Sequence, residues 1–286
     1  MSEASSFHSP APRRRDRSRA GRAAADEPPR RNGARAPELP PPVALERAAA
    51  LRLLRVGDLE IVGRLVDASN ATLVCRLSGE AGPGVGEVTT RCVYKPVRGE
   101  APLSDFPDGT LANREVAAHA VSEATGWEIV PPTVLRDGPF GRGMVQLWVE
   151  VDPEVDLLEL VRSPHPALRR MALFDAIINN ADRKGGHLLP VPGGHVHGVD
   201  HGVCFAVEPK LRTILWGWRG AALADEECAT LGRLRAGFES DLGPRLADLL
   251  SEAEVEATRR RIDGLLATRR FPQPDPFRPA IPWPPF

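Results

Sequence analysis

The first half of the folded region alternates apolar and polar residues, which predicts β-strands rather than helices. The first two runs are joined by the turn-forming residues Asp67-Ala68-Ser69-Asn70, so they predict a hairpin. Pro96 ends the third run because proline cannot donate to the ladder of a central strand. The five runs lie at residues 59–66, 71–77, 91–95, 129–135 and 143–149.

In the second half the apolar residues recur every three to four positions, which predicts helices packed on one face. One such helix already stands between the third and fourth strands, where Gly126 provides the left-handed residue that commonly ends a helix. A short hairpin is expected around residues 188–199. The helices are predicted at residues 112–125, 156–162, 167–179, 223–238 and 251–268. Strands followed by helices predict an α+β fold for residues 43–270.

Two flanking segments differ from this region in composition. Residues 1–44 hold nine arginines and eight prolines but almost no large apolar residues, so we expect this segment to be disordered. Five acidic residues leave it with a net charge of +4, which suits either a solvated tail or weak contact with an acidic surface. Residues 271–286 contain seven prolines and four aromatic residues, which predicts an extended tail against the domain.

Composition and charge narrow the class of protein. The chain has 286 residues and a net charge of −1, so its overall charge does not predict specific nucleic-acid binding. No apolar run approaches the length of about 18 residues that a membrane-spanning helix needs, and the N-terminus lacks the apolar core of a signal peptide. The four cysteines are scattered and form no C-x-x-C pair. These features predict a reduced, cytoplasmic protein.

Charged residues follow one another along the chain in an order that would serve phosphoryl transfer. That reaction requires a cation on the triphosphate, metal ions that bridge its oxygens and an aligned acceptor hydroxyl. Lys95, at the end of the third strand, fits the cation. Glu115, one turn into the following helix, fits the acid that would hold this lysine in place. Taken singly, each residue is better explained as an ordinary surface strand lysine or helix glutamate.

A stronger signal follows the apolar helix predicted at residues 167–179, which leads into a polar, glycine-containing loop. In this loop Asp182 would orient or deprotonate the acceptor hydroxyl, and Arg183 or Lys184 would offset charge on the γ-phosphate. Asp200 stands between a strand and a glycine, where it would hold the bridging metal. The alternative is that Asp182 caps the helix and that Asp200 only forms a turn.

Five segments in this order resemble the phosphatidylinositol 3-/4-kinase superfamily, most closely its type II phosphatidylinositol 4-kinase-like branch, and also an actinobacterial family with distant similarity to those kinases. The segments are Tyr94-Lys95-Pro96, Asn113-Arg114-Glu115-Val116-Ala117-Ala118, Gln146-Leu147-Trp148-Val149-Glu150, Asn180-Ala181-Asp182-Arg183 and Val199-Asp200-His201-Gly202. The resemblance covers roughly residues 55–205. It implies a two-lobed protein-kinase-like fold, with a β-rich N-lobe at 45–150 and a minimal α-rich C-lobe at 151–270.

The resemblance further implies an ATP-dependent phosphotransferase that uses Mg²⁺ or Mn²⁺. Its acceptor would be a hydroxyl group of a lipid, a protein or a small molecule. By this resemblance, Lys95 would contact phosphate, Asp182 would be catalytic and Asp200 would bind the metal. The other residues implied to bind ATP are Glu115, Ser69 and Asn70 in the hairpin turn over the phosphates, and Gln146, Leu147, Trp148 and Val149 in the hinge that binds adenine.

One position departs from the family pattern. The family usually has an asparagine five residues after the catalytic aspartate, as a second metal ligand, and here that position is His187. Magnesium prefers oxygen ligands, whereas imidazole suits softer transition metals. Three interpretations of His187 follow: it is a ligand of manganese, it contacts phosphate directly, or its presence indicates a weakened enzyme. The last reading, together with the short C-terminal half, gives a nucleotide-binding pseudokinase as the alternative function.

A metal-dependent hydrolase is a further alternative. His195, His197, Asp200 and His201 nearly form the H-x-H-x-D-H zinc motif of β-lactamase-fold hydrolases, and neutral imidazoles with a carboxylate are good zinc ligands. However, the spacing from His197 to Asp200 has one residue too many, and no histidine follows His201. The hydrolase hypothesis therefore ranks third.

Overall fold

The computed structural model describes residues 40, 43, 45–65 and 70–286. The expectations for the tail at residues 1–44 therefore fall almost wholly outside the described residues, as does the one for Ser69. Within them the fold is mixed α+β, with a five-stranded antiparallel sheet, a two-stranded hairpin and seven α-helices. None of the helices in this part of the chain is long and apolar enough to cross a bilayer.

The large sheet has the strand order β1-β2-β3-β5-β4, and every neighbouring pair is antiparallel. The predicted hairpin forms β1 and β2, and Lys95 lies in β3 opposite Met144 of β5. The fourth strand begins later than the sequence predicts, because Pro131 and Pro132 have no N–H for a ladder. The strands are β1 Asp58–Arg64, β2 Leu73–Glu80, β3 Glu87–Pro96, β4 Thr133–Gly138 and β5 Gly141–Leu147.

The helices follow the apolar periodicity, with two additions that the pattern did not predict, α1 and α6. Helix α2 ends at Gly126, whose φ of 70° is the left-handed conformation expected there. The helices are α1 Arg47–Val56, α2 Leu111–Thr125, α3 Leu157–Arg162, α4 Pro166–Ile178, α5 Asp225–Gly237, α6 Leu242–Ala247 and α7 Glu252–Thr268. The small hairpin consists of β6 Leu188–Pro190 and β7 Val196–Gly198.

Apolar burial divides between two main clusters. One lies between α1 and the large sheet and includes Leu53, Leu77 and Tyr94. The other joins the helices and includes Phe174 of α4 and Leu231 of α5. Helix α2, which carries Glu115, contributes to the helical cluster and also contacts β4 and β5 of the large sheet, so it connects the two halves of the fold. The two-lobed arrangement with ATP between the lobes stays a prediction.

The C-terminal segment at residues 271–286 forms no helix or strand. Its backbone contacts the rest of the fold at several places, two of which lie beside the loop that carries Asp182. The N–H of Thr213 donates to the carbonyl of Ala280 at 3.0 Å, and the N–H of Gly185 donates to that of Pro285 at 2.8 Å. The ring of Phe286 occupies the space that a side chain at Gly185 would need, so a glycine is required there.

Candidate active site

Three charged residues that are far apart in the sequence meet at Lys95. Its Nζ donates to Oε1 of Glu115 at 2.6 Å and to Oδ1 of Asp200 at 2.8 Å. Strand β3 supplies the lysine, helix α2 the glutamate, and the turn after β7 the aspartate. We call Lys95, Glu115 and Asp200 the lysine cluster. Its formation requires the sheet, the helical half and the second hairpin to be in place together.

Electrostatics keep Lys95 and Asp200 of the lysine cluster ionised. Burial alone would lower the pKa of Lys95, but the negative charges of Asp200 and Glu115 outweigh it and raise this pKa above its usual value. The positive charge of Lys95, which outweighs the effect of burial, holds the pKa of Asp200 well below its usual range. Because each charge favours the other, both groups carry their charge at neutral pH.

Glu115 and Asp200 differ in exposure. The Glu115 side chain is only 2% exposed, and its second oxygen, Oε2, accepts a hydrogen bond from the N–H of His201 at 2.9 Å. Asp200 is 48% exposed and adopts a φ of 62°, a left-handed conformation that few residues other than glycine, asparagine and aspartate tolerate. Glu115 therefore fixes the lysine and the following loop, whereas Asp200 keeps part of its carboxylate open to solvent.

Asp182 lies in the loop that follows α4. Its N–H donates to Oδ1 of Asn180 at 2.9 Å, which fixes the backbone of the loop. Its side chain is 29% exposed, and one carboxylate oxygen lies 3.2 Å from Nζ of Lys184. The loop thus presents a carboxylate and an ammonium group side by side, both accessible from solvent.

Arg183 points in the opposite direction from its two neighbours. Its guanidinium is fully buried and contacts the Asp175 carboxylate through Nε at 3.1 Å and Nη2 at 2.9 Å. Nη1 donates to the carbonyl of Val199 at 3.1 Å, and Nη2 also lies 2.6 Å from Nε2 of His201. We call Asp175, Arg183 and His201 the arginine cluster. A guanidinium so enclosed is not placed to contact a γ-phosphate, contrary to the sequence-based expectation.

The arginine cluster is a contribution that sequence reasoning missed. Asp175 stands in the last turn of the apolar helix α4, where Asn180 and Thr213 also donate to its carboxylate. A fully buried carboxylate is costly unless it is paired, so this position demands a cation. The signal available in the sequence was an aspartate within the apolar run Ala172-Leu173-Phe174-Asp175-Ala176-Ile177-Ile178.

His187 lies against Asp200, as its predicted role requires, but with both ring nitrogens engaged. Nδ1 accepts from the N–H of Lys184 at 3.4 Å, so Nε2 carries the proton and lies 3.4 Å from Oδ2 of Asp200. Burial lowers the pKa of His187 despite the charge of Asp200. This geometry leaves the neutral ring beside Asp200, with Nδ1 already occupied by the backbone N–H of Lys184.

The other histidines do not assemble the hydrolase motif. His195 and His197 pack edge to face with ring centroids 4.4 Å apart, and both contact the carbonyl of Glu128. His201 belongs to the arginine cluster, and Asp200 to the lysine cluster. Among the described residues there is no group of three or more His, Cys, Asp or Glu side chains placed to hold a metal ion. The zinc-ligand set proposed from the sequence is therefore wrong.

The residues expected to bind adenine are partly engaged within the protein. The Gln146 side chain is buried and donates to Oγ1 of Thr133 at 2.8 Å. The N–H of Leu147 donates to the Pro132 carbonyl, and that of Trp148 to the Arg91 carbonyl. Neither N–H is free for a purine ring in this conformation. Val149, the last residue of the expected hinge, follows the end of β5.

Asn70, expected to cover the phosphates, instead contacts the segment after β3. Its Oδ1 accepts from the N–H of Ala101 at 2.7 Å, and the N–H of the next residue, Ala71, donates to the Gly99 carbonyl at 3.0 Å. These bonds tie the end of the hairpin turn to the residues that follow Lys95. The structure brings Lys95, Glu115 and Asp200 together, with His187 beside them, but it does not place Asn70 or Gln146 in that group.

Comparison with known proteins gives one relative of high similarity. Protein Rv2133c of Mycobacterium tuberculosis is 44% identical over 269 residues, a match that covers 82% of this chain and 94% of the relative. No protein-family model matches the chain. Among solved structures, the Helicobacter pylori proinflammatory kinase CtkA is similar over 76% of this chain and 94% of its own, with 12% identity and a TM-score of 0.46. That structural similarity is too distant to assign a function.

Proposed function

The chain belongs to the family of protein Rv2133c of Mycobacterium tuberculosis, and for this member we propose an ATP-dependent phosphotransferase that moves the γ-phosphate to a hydroxyl acceptor. The observation that carries the proposal is the position of Lys95 Nζ, at 2.6 Å from Glu115 and 2.8 Å from Asp200. The P–O bond to ADP would break, a P–O bond to the acceptor would form, and the hydroxyl proton would pass to a carboxylate oxygen of Asp182.

The lysine cluster has the parts that kinases use to hold a triphosphate. Kinases place the phosphate-binding lysine on the third strand and its glutamate partner on the helix that follows. Lys95 in β3 and Glu115 in α2 occupy those two elements. Glu115 is buried and also fixed by His201, so it would hold the ammonium group of Lys95 in place while phosphate oxygens approach from the side of Asp200.

The accessible carboxylate of Asp200 fits a magnesium or manganese ion. Mg²⁺ is usually bound in such enzymes by one or two carboxylates and by the phosphates of the substrate, rather than by a cage of protein ligands. Asp200 supplies an exposed carboxylate oxygen and would hold the ion. An ion held there would offset the negative charge of the phosphates. His187 would orient the carboxylate of Asp200 through Nε2–H.

Asp182 and Lys184 would act on the acceptor side. A partly exposed carboxylate can accept the hydrogen bond of a hydroxyl group and then its proton. Lys184, 3.2 Å from that carboxylate, would offset negative charge on the transferred phosphoryl group, the role that the buried Arg183 cannot take. The acceptor can be a lipid, a protein or a small molecule, since the argument concerns its hydroxyl group alone.

Nucleotide binding without transfer is the second candidate. Two observations favour it: His187 stands where the resemblance leads one to expect asparagine, and the N–H groups of Leu147 and Trp148 are engaged within the protein. In that case the lysine cluster would bind a nucleotide, and the bound nucleotide would stabilise one conformation of the protein without transferring phosphate. Both candidates predict ATP binding, and they differ only in the transfer of phosphate.

Transfer is tested with labelled ATP, in Mg²⁺ or Mn²⁺, on the protein itself, on lipid vesicles and on small polyols. We expect Asp182→Asn to lower transfer by at least about a hundredfold, the usual contribution of a general base. The melting temperature measured with ATP should still rise in this variant, because Asp182 faces the acceptor. Asp248→Asn, an exposed aspartate on α6's C-terminal side, is the matched control and should transfer normally.

Binding is tested with Lys95→Met. The rise in melting temperature that ATP produces, measured against the variant's own melting point, should disappear because the phosphate contact is lost. Transfer that is equal in Asp182→Asn and the parent chain would contradict the catalytic role of Asp182. An undiminished ATP effect in Lys95→Met would contradict both candidate functions.

A further inference from the structure

A large cavity lies apart from the lysine cluster. Its volume is about 990 Å³, and its walls come from α7, from residues 207–212 and from the C-terminal segment at residues 271–280. None of Lys95, Glu115, Asp182 and Asp200 lines it. A cavity of this size is in the range that holds a small organic ligand.

The walls of the cavity are strongly basic. Six basic side chains line it against two acidic ones, Asp105 and Asp275, which gives a formal balance of 6 − 2 = +4. The whole chain, in contrast, has a net charge of −1, so the positive charge is concentrated here. The basic residues are Lys210, Arg212, Arg260, Arg261, Arg270 and Arg278.

Half of these cations have no ion pair among the described residues. Arg261 donates to the carbonyls of Ile177 and Ala206 and to Oγ1 of Thr258, which are all uncharged groups. Burial lowers the pKa of Arg261 to about 10, so it is still charged at neutral pH and pays for desolvation without a counter-ion. Arg212 and Arg270 likewise donate only to backbone carbonyls, at 2.7 and 2.8 Å.

The remaining wall is apolar and leaves room at one helix position. Trp216, Leu265 and Phe271 supply this surface. Gly264 also lines the cavity from within α7, and a Cβ added there would meet no atom within 4 Å. Glycine costs about 1 kcal/mol relative to alanine inside a helix. No described neighbour requires this glycine, so the helix offers open space toward the cavity at this position.

We propose that this cavity is a second ligand site and that it binds an organic anion with an apolar body. The anionic head would lie against Arg261 and Arg270, where unpaired cations gain a counter-ion. The apolar body would cover Trp216 and the face of α7 at Gly264. Inorganic phosphate alone would leave that apolar surface uncovered, and a neutral hydrocarbon would leave the cations unpaired.

Calorimetric titration of the full chain tests the site with three soluble probes. Octyl phosphate carries both the head and the body, inorganic phosphate only the head, and octanol only the body. We expect octyl phosphate, below its micelle concentration, to bind at least about tenfold more tightly than either partial probe, which corresponds to about 1.4 kcal/mol. Equal binding of octyl phosphate and inorganic phosphate would overturn the proposal.

Two variants and their matched controls locate the probe. Gly264→Trp should fill the cavity and abolish binding, whereas Gly232→Trp, at a mid-helix glycine of α5 with equally open surroundings outside the cavity, should not. Arg270→Glu should weaken octyl phosphate about tenfold or more, and Arg233→Glu, an exposed arginine of α5, should not. Binding that survives Gly264→Trp but is lost in Lys95→Met would place the probe at the lysine cluster and overturn the proposal.

Vesicles distinguish the source of such an anion. If vesicles of phosphatidylcholine with phosphatidic acid capture the protein and the Gly264→Trp variant escapes, the site takes a membrane lipid. If octyl phosphate binds while these vesicles do not, the site takes a free amphiphile. Either result supports the site, whereas capture that is equal for the parent and Gly264→Trp, without octyl phosphate binding, would contradict it.

Discussion

The lysine cluster and the arginine cluster use similar groups: each holds a cation with one or two carboxylates beside a histidine. They differ in solvent exposure. Asp200 of the lysine cluster is about half exposed, while Arg183 and Asp175 are completely buried. The two clusters are joined at consecutive residues, since Asp200 belongs to one and His201 to the other.

This difference in exposure separates the lysine cluster, which can react, from the arginine cluster, which stabilises the fold. An exposed carboxylate can exchange its partner for a metal ion or a phosphate, whereas a buried ion pair cannot lose one member without leaving an uncompensated charge. The same contrast holds within one loop, where Asp182 faces solvent and Arg183 faces the interior. Residue type alone therefore does not decide the role of a charge, and the experiments below separate the two clusters.

The largest expected effect is on stability, in the arginine cluster. Asp175→Ala should lower the free energy of unfolding by about 3–5 kcal/mol, because it leaves the Arg183 guanidinium buried and unpaired. Urea denaturation measures this change. Glu256→Ala, which removes an exposed partner of Arg259, is the control and should cost no more than about 1 kcal/mol. Similar losses in the two variants would remove the distinction between buried and exposed pairs.

The next effect is on chemistry, in the lysine cluster. Asp200→Asn should lower phosphate transfer at least about a hundredfold, or about 2.7 kcal/mol in barrier, because the charge that would hold the metal is lost. Stability should change by less than about 1 kcal/mol, since the carboxylate is half exposed and asparagine tolerates its φ of 62°. A stability loss as large as that of Asp175→Ala would mean that Asp200 stabilises the fold rather than taking part in the reaction.

A conservative change in the arginine cluster should give an intermediate effect. Arg183→Lys keeps the charge but loses the paired contacts with Asp175 and the bond to Val199, which should cost about 1.5–3 kcal/mol of stability. The ATP-induced rise in melting temperature should persist, because Arg183 does not reach solvent. Arg259→Lys on the surface serves as the control. A selective loss of ATP binding in Arg183→Lys would show that Arg183 takes part in nucleotide binding.

The smallest effect concerns His119 of α2. The pH dependence of stability tests whether burial also keeps this side chain uncharged. Burial, then the charge of Arg47, lowers the pKa of His119 to about 4, although Glu123 opposes this and Arg245 adds to it. The unfolded chain binds its proton near pH 6.5, so stability is full above that pH and falls as the pH drops toward 4.

The expected loss from His119 is about 1.4 kcal/mol between pH 7.5 and 5.5, measured by urea denaturation at each pH. His119→Gln should remove this part of the pH dependence, because glutamine does not titrate and can still accept a hydrogen bond from Arg47. An unchanged slope in the variant would mean that His119 is not held neutral by its surroundings.

Local patterns predicted most elements but not all. The hairpin of β1 and β2, helix α2 with Gly126 at its end, and helix α4 follow from alternation, helical spacing and a C-terminal glycine. Helices α1 and α6 were missed. Helix α1 packs Leu53 and Leu54 against the sheet, and the helical spacing of Ala50, Leu53 and Leu54 was the signal available in the sequence.

The sequence by itself determined the order of Lys95, Glu115, Asp182 and Asp200 and the strand, helix or loop that carries each. Tertiary structure alone decided which charges face solvent. It buried Arg183 against Asp175 and directed His187 toward Asp200. The physical reason is that backbone conformation depends mainly on neighbours a few residues away, whereas the exposure and ionisation of a charged group depend on packing between distant segments, such as those of Lys95 and Asp200, which are 105 residues apart.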